Sequence, residues 1–237
     1  MGALGPSISA LLLTYILKGK TKVKELLKEV LKWRVSIIWW IIGLYGWWFL
    51  CSILALFLND TDISKISFSF LVSIINIPAI IFILQLPLMV GMFGEEVGWR
   101  GFALPRLLEK YNPIIVSFIL AIPWLLWHSP LFVFNEWTGE SSLGYFLLKY
   151  FLRILPLSII FTWFFQRTKG SLLLIIILYK SFNLTFNAYK IALGLNEKNT
   201  ELISNLSLIS LWIIAVVITV YYLKTRNNKL SSLRLLP

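Results

Sequence analysis

The chain has 237 residues, 58% of them apolar and 14% charged, with 13 Gly, 9 Pro and a single Cys. Soluble domains carry ~45–50% apolar and ~25% charged residues, so a mean hydropathy of +0.81 leaves too few polar side chains to cover a water-soluble globule. The same figures exclude disorder, a collagen-like repeat and a disulfide scaffold; the formal charge of +11 invites a nucleic-acid reading, but it is distributed as a membrane topology.

Apolar stretches recur near 3–17, 35–58, 70–94, 114–134, 143–165, 171–193 and 205–223. A helical span needs about 20 apolar residues, because backbone polar groups cannot stay unpaired in lipid. The first stretch is short, holds Gly5-Pro6 and has no basic segment before it. It reads as a tilted or partial span rather than a signal peptide. The second is flanked and lined by Trp39, Trp40, Trp47 and Trp48, as interfacial aromatics often are, and contains Cys51, read as a small buried hydrophobe.

Charge alternates between the breaks. Lys18, Lys20, Lys22, Lys24, Lys28, Lys32 and Arg34 precede the second span. Asp60 and Asp62 follow it against Lys65, and Arg106 and Lys110 follow the third. Glu136 and Glu140 lie after the fourth, Arg167 and Lys169 after the fifth, Glu197 and Glu201 after the sixth. The tail, 224–237, is basic again. This order obeys the positive-inside rule. It predicts an all-α, polytopic transmembrane helix bundle of about seven spans, one integral membrane domain over 1–237, lying in the plasma membrane with its C-terminal tail in the cytoplasm. The bilayer is then a partner and nucleic acid is not. Within 19–34, Val23, Leu26, Leu27, Val30 and Leu31 fall at helical spacing opposite lysines. The segment Val23–Trp33 reads as an amphipathic helix on the cytoplasmic leaflet or as a plain basic loop helix.

Ionisable groups within apolar spans are costly and mark function by default. Glu96 and Arg100 are one helical turn apart and can pair, while Glu95 points about 100° away. One carboxylate is left over, suited to act as a base once buried. His128, the only histidine, lies in the fourth span. It stands 16 residues after Asn112 in the turn Tyr111-Asn112-Pro113, and Glu95 stands 17 before it. An antiparallel hairpin would bring both to about 25 Å from the turn, with the motif helix running back to Pro87 or Pro78. Tyr179, Asn183 and Asn187 share one face at i, i+4, i+8, either as a polar site or as helix–helix glue. Lys180 beside them reads as a charge near the site or as a snorkelling side chain. Lys149 and Arg153 share a face of the fifth span.

These residues resemble the CPBP intramembrane proteases, also called the type II CAAX prenyl endopeptidase or Abi family. The resemblance rests on EEVGWRGFALPRL around Glu95-Glu96-x-x-x-Arg100, on WLLWHSPLF around His128, and on a third motif near Asn183. It runs from about Gly5-Pro6 to Asn183, with a core over 87–190. Members usually carry further residues before the Gly-Pro, which implies an N-terminally short chain. The family's third motif is typically His-x-x-x-Asn, and here its first position is Tyr179.

The resemblance implies an intramembrane endopeptidase acting on a membrane-associated peptide or protein, prenylated or bacteriocin-like. Glu95 and His128 would activate a water, and Tyr179 and Asn183 would donate to the oxyanion. Glu96 with Arg100 would hold the helix and tune Glu95. No cofactor is expected. A zinc ion held by Glu95, Glu96 and His128 is the minority reading, because one histidine and no HExxH leave a poor ligand set. The rival readings are a catalytically inactive member serving as an immunity or scaffold protein, and a small transporter, which the lack of an internal repeat disfavours.

Overall fold

The computed structural model describes residues 4–58, 90–133, 143–192 and 197–234, and among them there is helix but no strand. Helix α1 covers Gly5–Val30. Pro6 suits its first turn, where a missing N–H costs nothing. Gly19, at φ +78° and ψ 177°, interrupts it. That backbone conformation is open to glycine alone, so α1 is an apolar arm followed by a lysine-rich arm. The second arm ends at Val30, and the expected helix through Trp33 is corrected there. The N–H groups of Leu31 and Lys32 close the last turn on Lys28 O and Glu29 O at 3.0 and 3.3 Å. The carbonyl of Lys32 instead accepts from Ser171 Oγ at 2.6 Å.

Helix α2 (Ile37–Ile41) passes through a π-helical turn, Ile42–Gly46, into α3 (Trp47–Leu58). Helix α4 (Val90–Glu96) continues into a second π-helical turn, Val97–Ala103, and then α5 (Leu104–Leu108). After the turn, Asn112 Oδ1 caps α6 (Pro113–Val133) by accepting from Ile115 N at 3.0 Å. Helices α7 (Leu143–Arg167), α8 (Leu172–Ala192) and α9 (Glu197–Arg234) complete the order. Helix α9 runs on well past the apolar stretch 205–223, through most of the basic tail.

Among the described residues four windows are long and apolar enough to cross a membrane: Ile37–Leu54, Pro113–Pro130, Leu147–Arg167 and Glu201–Thr225. A shorter apolar helix covers Leu172–Asn183. The protein is an all-α integral membrane helix bundle. Most of the stretch 70–94, expected as the third span, lies outside the described residues, as do Pro78 and Pro87. So do Asp60, Asp62 and Lys65 in one polar break and Glu136 and Glu140 in another.

The described chain forms two compact units, Met1–Ala103 with Phe165–Ser207, and Leu104–Phe164 with Leu208–Pro237. In the first, α8 is the core. From Leu172 to Phe182 every residue except Leu173 is buried, as a helix apolar on all sides must be. Ser171 caps it, accepting from Leu174 N at 3.3 Å. The turn before it closes on a bond from Gly170 N to Phe165 O at 2.8 Å, with Lys169 and Gly170 both at positive φ. Lys32 Nζ donates to Lys169 O in that turn and pairs with Glu29, so the basic arm of α1 is tied to the start of α8.

In the second unit α6 presents apolar residues on both sides. Val116, Leu120, Ala121 and Trp124 are buried, while Ile115, Phe118, Ile119, Ile122 and Leu126 are exposed. An outer face as apolar as the inner one fits lipid and not water. Helix α9 repeats the pattern, with Leu211, Ala215 and Ile218 buried and Ile209, Ile213, Val216 and Val217 exposed.

Candidate active site

The first unit brings four of the singled-out residues together. Glu96 and Arg100 form a fully buried ion pair, Nη1 donating to Oε1 at 2.8 Å. The side chains stay in reach although the helix between them has changed register into the π-helical turn Val97–Ala103. Such turns are rare and gather at functional sites. Glu95 is 7% exposed, and its Oε2 accepts from Tyr179 Oη at 3.5 Å. A carboxylate of α4 and a phenol of α8, 84 residues apart in sequence, thus meet. Tyr179 is seven residues into α8 from Leu172, about 10 Å along the axis from its capped start.

The support for α4 comes from α1. Ser7 Oγ donates to Phe93 O at 2.7 Å. A Cβ on Gly98 would lie 2.6 Å from the backbone and Cβ of Pro6, and one on Gly101 would lie 2.9 Å from Leu26 and Leu172 side chains. The Gly-Pro near the N-terminus and Gly98 are therefore halves of one close contact, while Gly101 gives the room for Leu26 and Leu172. Sequence reasoning noted all of them without seeing the fit. Composition gave the only signal: glycines spaced three apart beside a charged pair.

His128 is buried in the second unit, on α6. Its Nδ1 lies 2.9 Å from Trp124 O. A carbonyl only accepts, so Nδ1 carries the proton and the lone pair of the neutral ring sits on Nε2. The imidazole is held against Tyr150 at 5.3 Å between centroids and near Trp124 at 6.4 Å. Trp124 packs in turn on Phe161 at 5.8 Å. Asn183 lies one turn on from Tyr179 and is exposed, while the side chain of Asn187 is outside those described. Lys180 is buried, Lys149 exposed and Arg153 half-buried.

The donor set bears on a metal. Among the described residues no three of His, Cys, Asp and Glu converge, one oxygen of Glu96 is taken by Arg100, and Glu95 faces a phenol. Glu95 and Tyr179 place a buried carboxylate beside a hydroxyl donor.

Fold and site together define a polytopic membrane protein with a carboxylate centre buried among its helices. The profile of the type II CAAX prenyl endopeptidase Rce1-like family matches residues 75–185. Over 105 residues the chain is 39% identical to "CAAX prenyl protease 2" of Methanococcus maripaludis, a stretch covering 43% of this chain and 38% of the relative. Over this segment the chain is similar to the Rce1-like type II CAAX prenyl endopeptidases. The match takes in well under half the length of that relative.

Proposed function

We propose that the protein is an intramembrane endopeptidase, hydrolysing a peptide bond of a membrane-associated peptide or protein. The observation that carries the reading is the buried Glu95–Tyr179 pair, set beside the buried Glu96–Arg100 ion pair in a segment that matches a protease family. Glu95 takes a proton from water, and the oxygen bonds to the scissile carbonyl carbon, whose own oxygen becomes an oxyanion. Once protonated, Glu95 is a weaker acceptor for the phenol. The Tyr179 hydroxyl then turns to the oxyanion, joined by the Asn183 amide. Collapse of the intermediate breaks the C–N bond, and the proton held at Glu95 passes to the leaving amine. Glu96 acts by keeping Arg100 neutralised and α4 in place.

The arrangement of charge supports a bilayer placement. Lys32 Nζ is bound to Lys169 O in the turn before α8, a basic site that anionic headgroups on the cytoplasmic side would receive. Tyr179 then lies about 10 Å below that level, within reach of a substrate anchored in the membrane. We take the membrane to be the plasma membrane and the tail beyond 224 to be cytoplasmic. Prenylated and bacteriocin-like peptides are the candidate substrates, the first because the relative is named a CAAX prenyl protease.

Tyr179, standing where the family has histidine, favours one rival, an inactive member acting as an immunity or scaffold protein. Cleavage of prenylated peptides by the purified chain in nanodiscs separates the two. The expected result is turnover that falls about 10²–10⁴-fold in Glu95→Ala and about 10²-fold in Tyr179→Phe, with chelators leaving it intact. Turnover lost to chelation and restored by zinc would overturn the water-activation scheme. No turnover by the wild type, with Glu95→Ala keeping the cellular phenotype, would establish the rival.

A further inference from the structure

Lys180 follows Tyr179 on α8, and only 6% of it is exposed. An ammonium taken out of water costs several kcal/mol unless an anion or hydrogen-bond acceptors receive it. Among the described residues the nearby carboxylates are committed elsewhere. Glu96 pairs with Arg100 and Glu95 accepts from Tyr179, and neither pairs with Lys180. The cost of burying this charge is therefore not met by a carboxylate of the described chain.

Helix geometry says what surrounds it. At 100° per residue, with Tyr179 as origin, Asn183 falls at about 40° and Lys180 at about 100°. Ser181 and Phe182 fall at about 200° and 300°. The last two carry the packing of α8: Ser181 Oγ donates to Leu44 O at 2.8 Å, and Phe182 lies 4.9 Å from Trp47 between ring centroids. Tyr179, Asn183 and Lys180 occupy the other sector. The phenol that touches Glu95 is at one margin, the buried ammonium at the other, and the exposed Asn183 between them. A peptide crossing that sector with its scissile carbonyl at the Glu95 margin runs about 3.3 Å per residue, so Lys180 meets it a few residues from the cut.

We infer that Lys180 is a specificity-determining residue that receives a carboxylate of the substrate peptide, seated within a few residues of the scissile bond. The inference rests on the proteolytic reading for the word substrate, but not for the binding itself. Two sources present the same chemistry, a free C-terminal α-carboxylate and an acidic side chain. A bound carboxylate pairs with the ammonium only when substrate is present, so the cation acts on binding and register rather than on the oxyanion.

The test uses the full chain in nanodiscs carrying Glu95→Gln, which holds peptide without cutting it. The probe is a lipid-anchored, sequence-degenerate peptide library made in three forms: C-terminal acid, C-terminal amide, and amide with a fixed Asp near the end. With Lys180 present, the acid form binds about thirtyfold or more tightly than the plain amide. Recovery of that affinity by the Asp-amide assigns the carboxylate to a side chain, and its absence assigns it to the terminus. Lys180→Met removes the preference and Lys180→Arg restores it, while the melting temperature of Lys180→Met stays level or rises because a buried charge has gone. Equal binding of all three forms, no binding of any, or a preference that survives Lys180→Met overturns the inference. A Lys180-dependent preference in a chain whose wild type cuts nothing leaves the inference standing and removes the protease. Cutting without the preference does the reverse.

Discussion

The two compact units solve the membrane problem by different means. The second uses long helices whose buried polar groups satisfy one another. Ser158 Oγ donates to Ser117 O at 2.8 Å, Ser117 Oγ and Thr162 Oγ1 lie 3.0 Å apart, and His128 is tied to its own helix at Trp124 O. The first accepts irregularity and charge. It has a glycine break in α1, π-helical turns at Ile42–Gly46 and Val97–Ala103, a buried ion pair, and a buried lysine. It also holds Thr14 Oγ1, Trp47 Nε1, Glu96 Oε2 and Trp99 Nε1, buried with no hydrogen-bond partner among the described residues. Polar capacity left unmet inside a protein is costly and concentrates where something else binds. Under the proposed function, the second unit is a scaffold and the first carries the chemistry.

The comparison is most sharply strained by removing one member of the ion pair. Arg100 and Glu96 are 1% and 0% exposed, so Arg100→Ala leaves an uncompensated carboxylate in a dry interior. The expected loss is about 3–5 kcal/mol, read as a fall in melting temperature in detergent together with loss of cleavage. The double variant Glu96→Met, Arg100→Met recovers most of the stability, since no lone charge remains. A single variant as stable as wild type would mean that the first unit does not depend on its charges.

A smaller effect is expected at Gly98, where an added Cβ meets Pro6 backbone at 2.6 Å. Backbone cannot yield as a side chain can, so Gly98→Ala should cost about 1–3 kcal/mol. It should also weaken cleavage, by moving α1 off the segment that carries Glu95. Gly46→Ala is the matched control. It sits in the other π-helical turn with its nearest neighbour, Ile42 Cγ2, at an ordinary 3.6 Å. Equal losses at both positions would remove the argument that the Gly-Pro contact positions the site.

Most of the helices were legible because membranes allow so few solutions. The apolar stretches 35–58, 114–134, 143–165 and 171–193 correspond closely to α2–α3, α6, α7 and α8. The fourfold spacing of Glu96 and Arg100 pointed to their ion pair, and Gly19 sits where the apolar arm gives way to lysines. What the sequence concealed depends on partners distant along the chain. The end of α1 at Val30 follows from Ser171 reaching Lys32 O, and the register change after Glu96 has no local signature beyond its glycines. The approach of Tyr179 to Glu95 was reachable only through the family resemblance. Hairpin arithmetic paired Glu95 with His128 instead, treating the chain from Glu95 to the turn as one straight helix. The turn Val97–Ala103 interrupts that register, so the straight-helix premise of the arithmetic does not hold. The burial of Lys180 could not be told from the sequence, where a charge near the site and a snorkelling side chain were both open readings.

The smallest effect lies in the second unit, and it decides how much its hydroxyls contribute. Ser117 and Thr162 are both buried, with their oxygens 3.0 Å apart across α6 and α7. Inside lipid such a contact has no water competing for it, yet the unfolded helices also find partners, so the net gain is modest. The double-mutant cycle of Ser117→Ala and Thr162→Val, the second keeping its shape while losing the hydroxyl, should give a coupling of about 0.6 kcal/mol. Cleavage should be unchanged in all three variants, because neither residue carries a charge and the two are bonded to each other within the second unit. A coupling near zero would leave the bond from Ser158 Oγ to Ser117 O and the packing of Trp124 on Phe161 to join these helices. A coupling above about 2 kcal/mol, or a loss of cleavage, would mean that the second unit is more than a scaffold, and the division of labour between the units would fail.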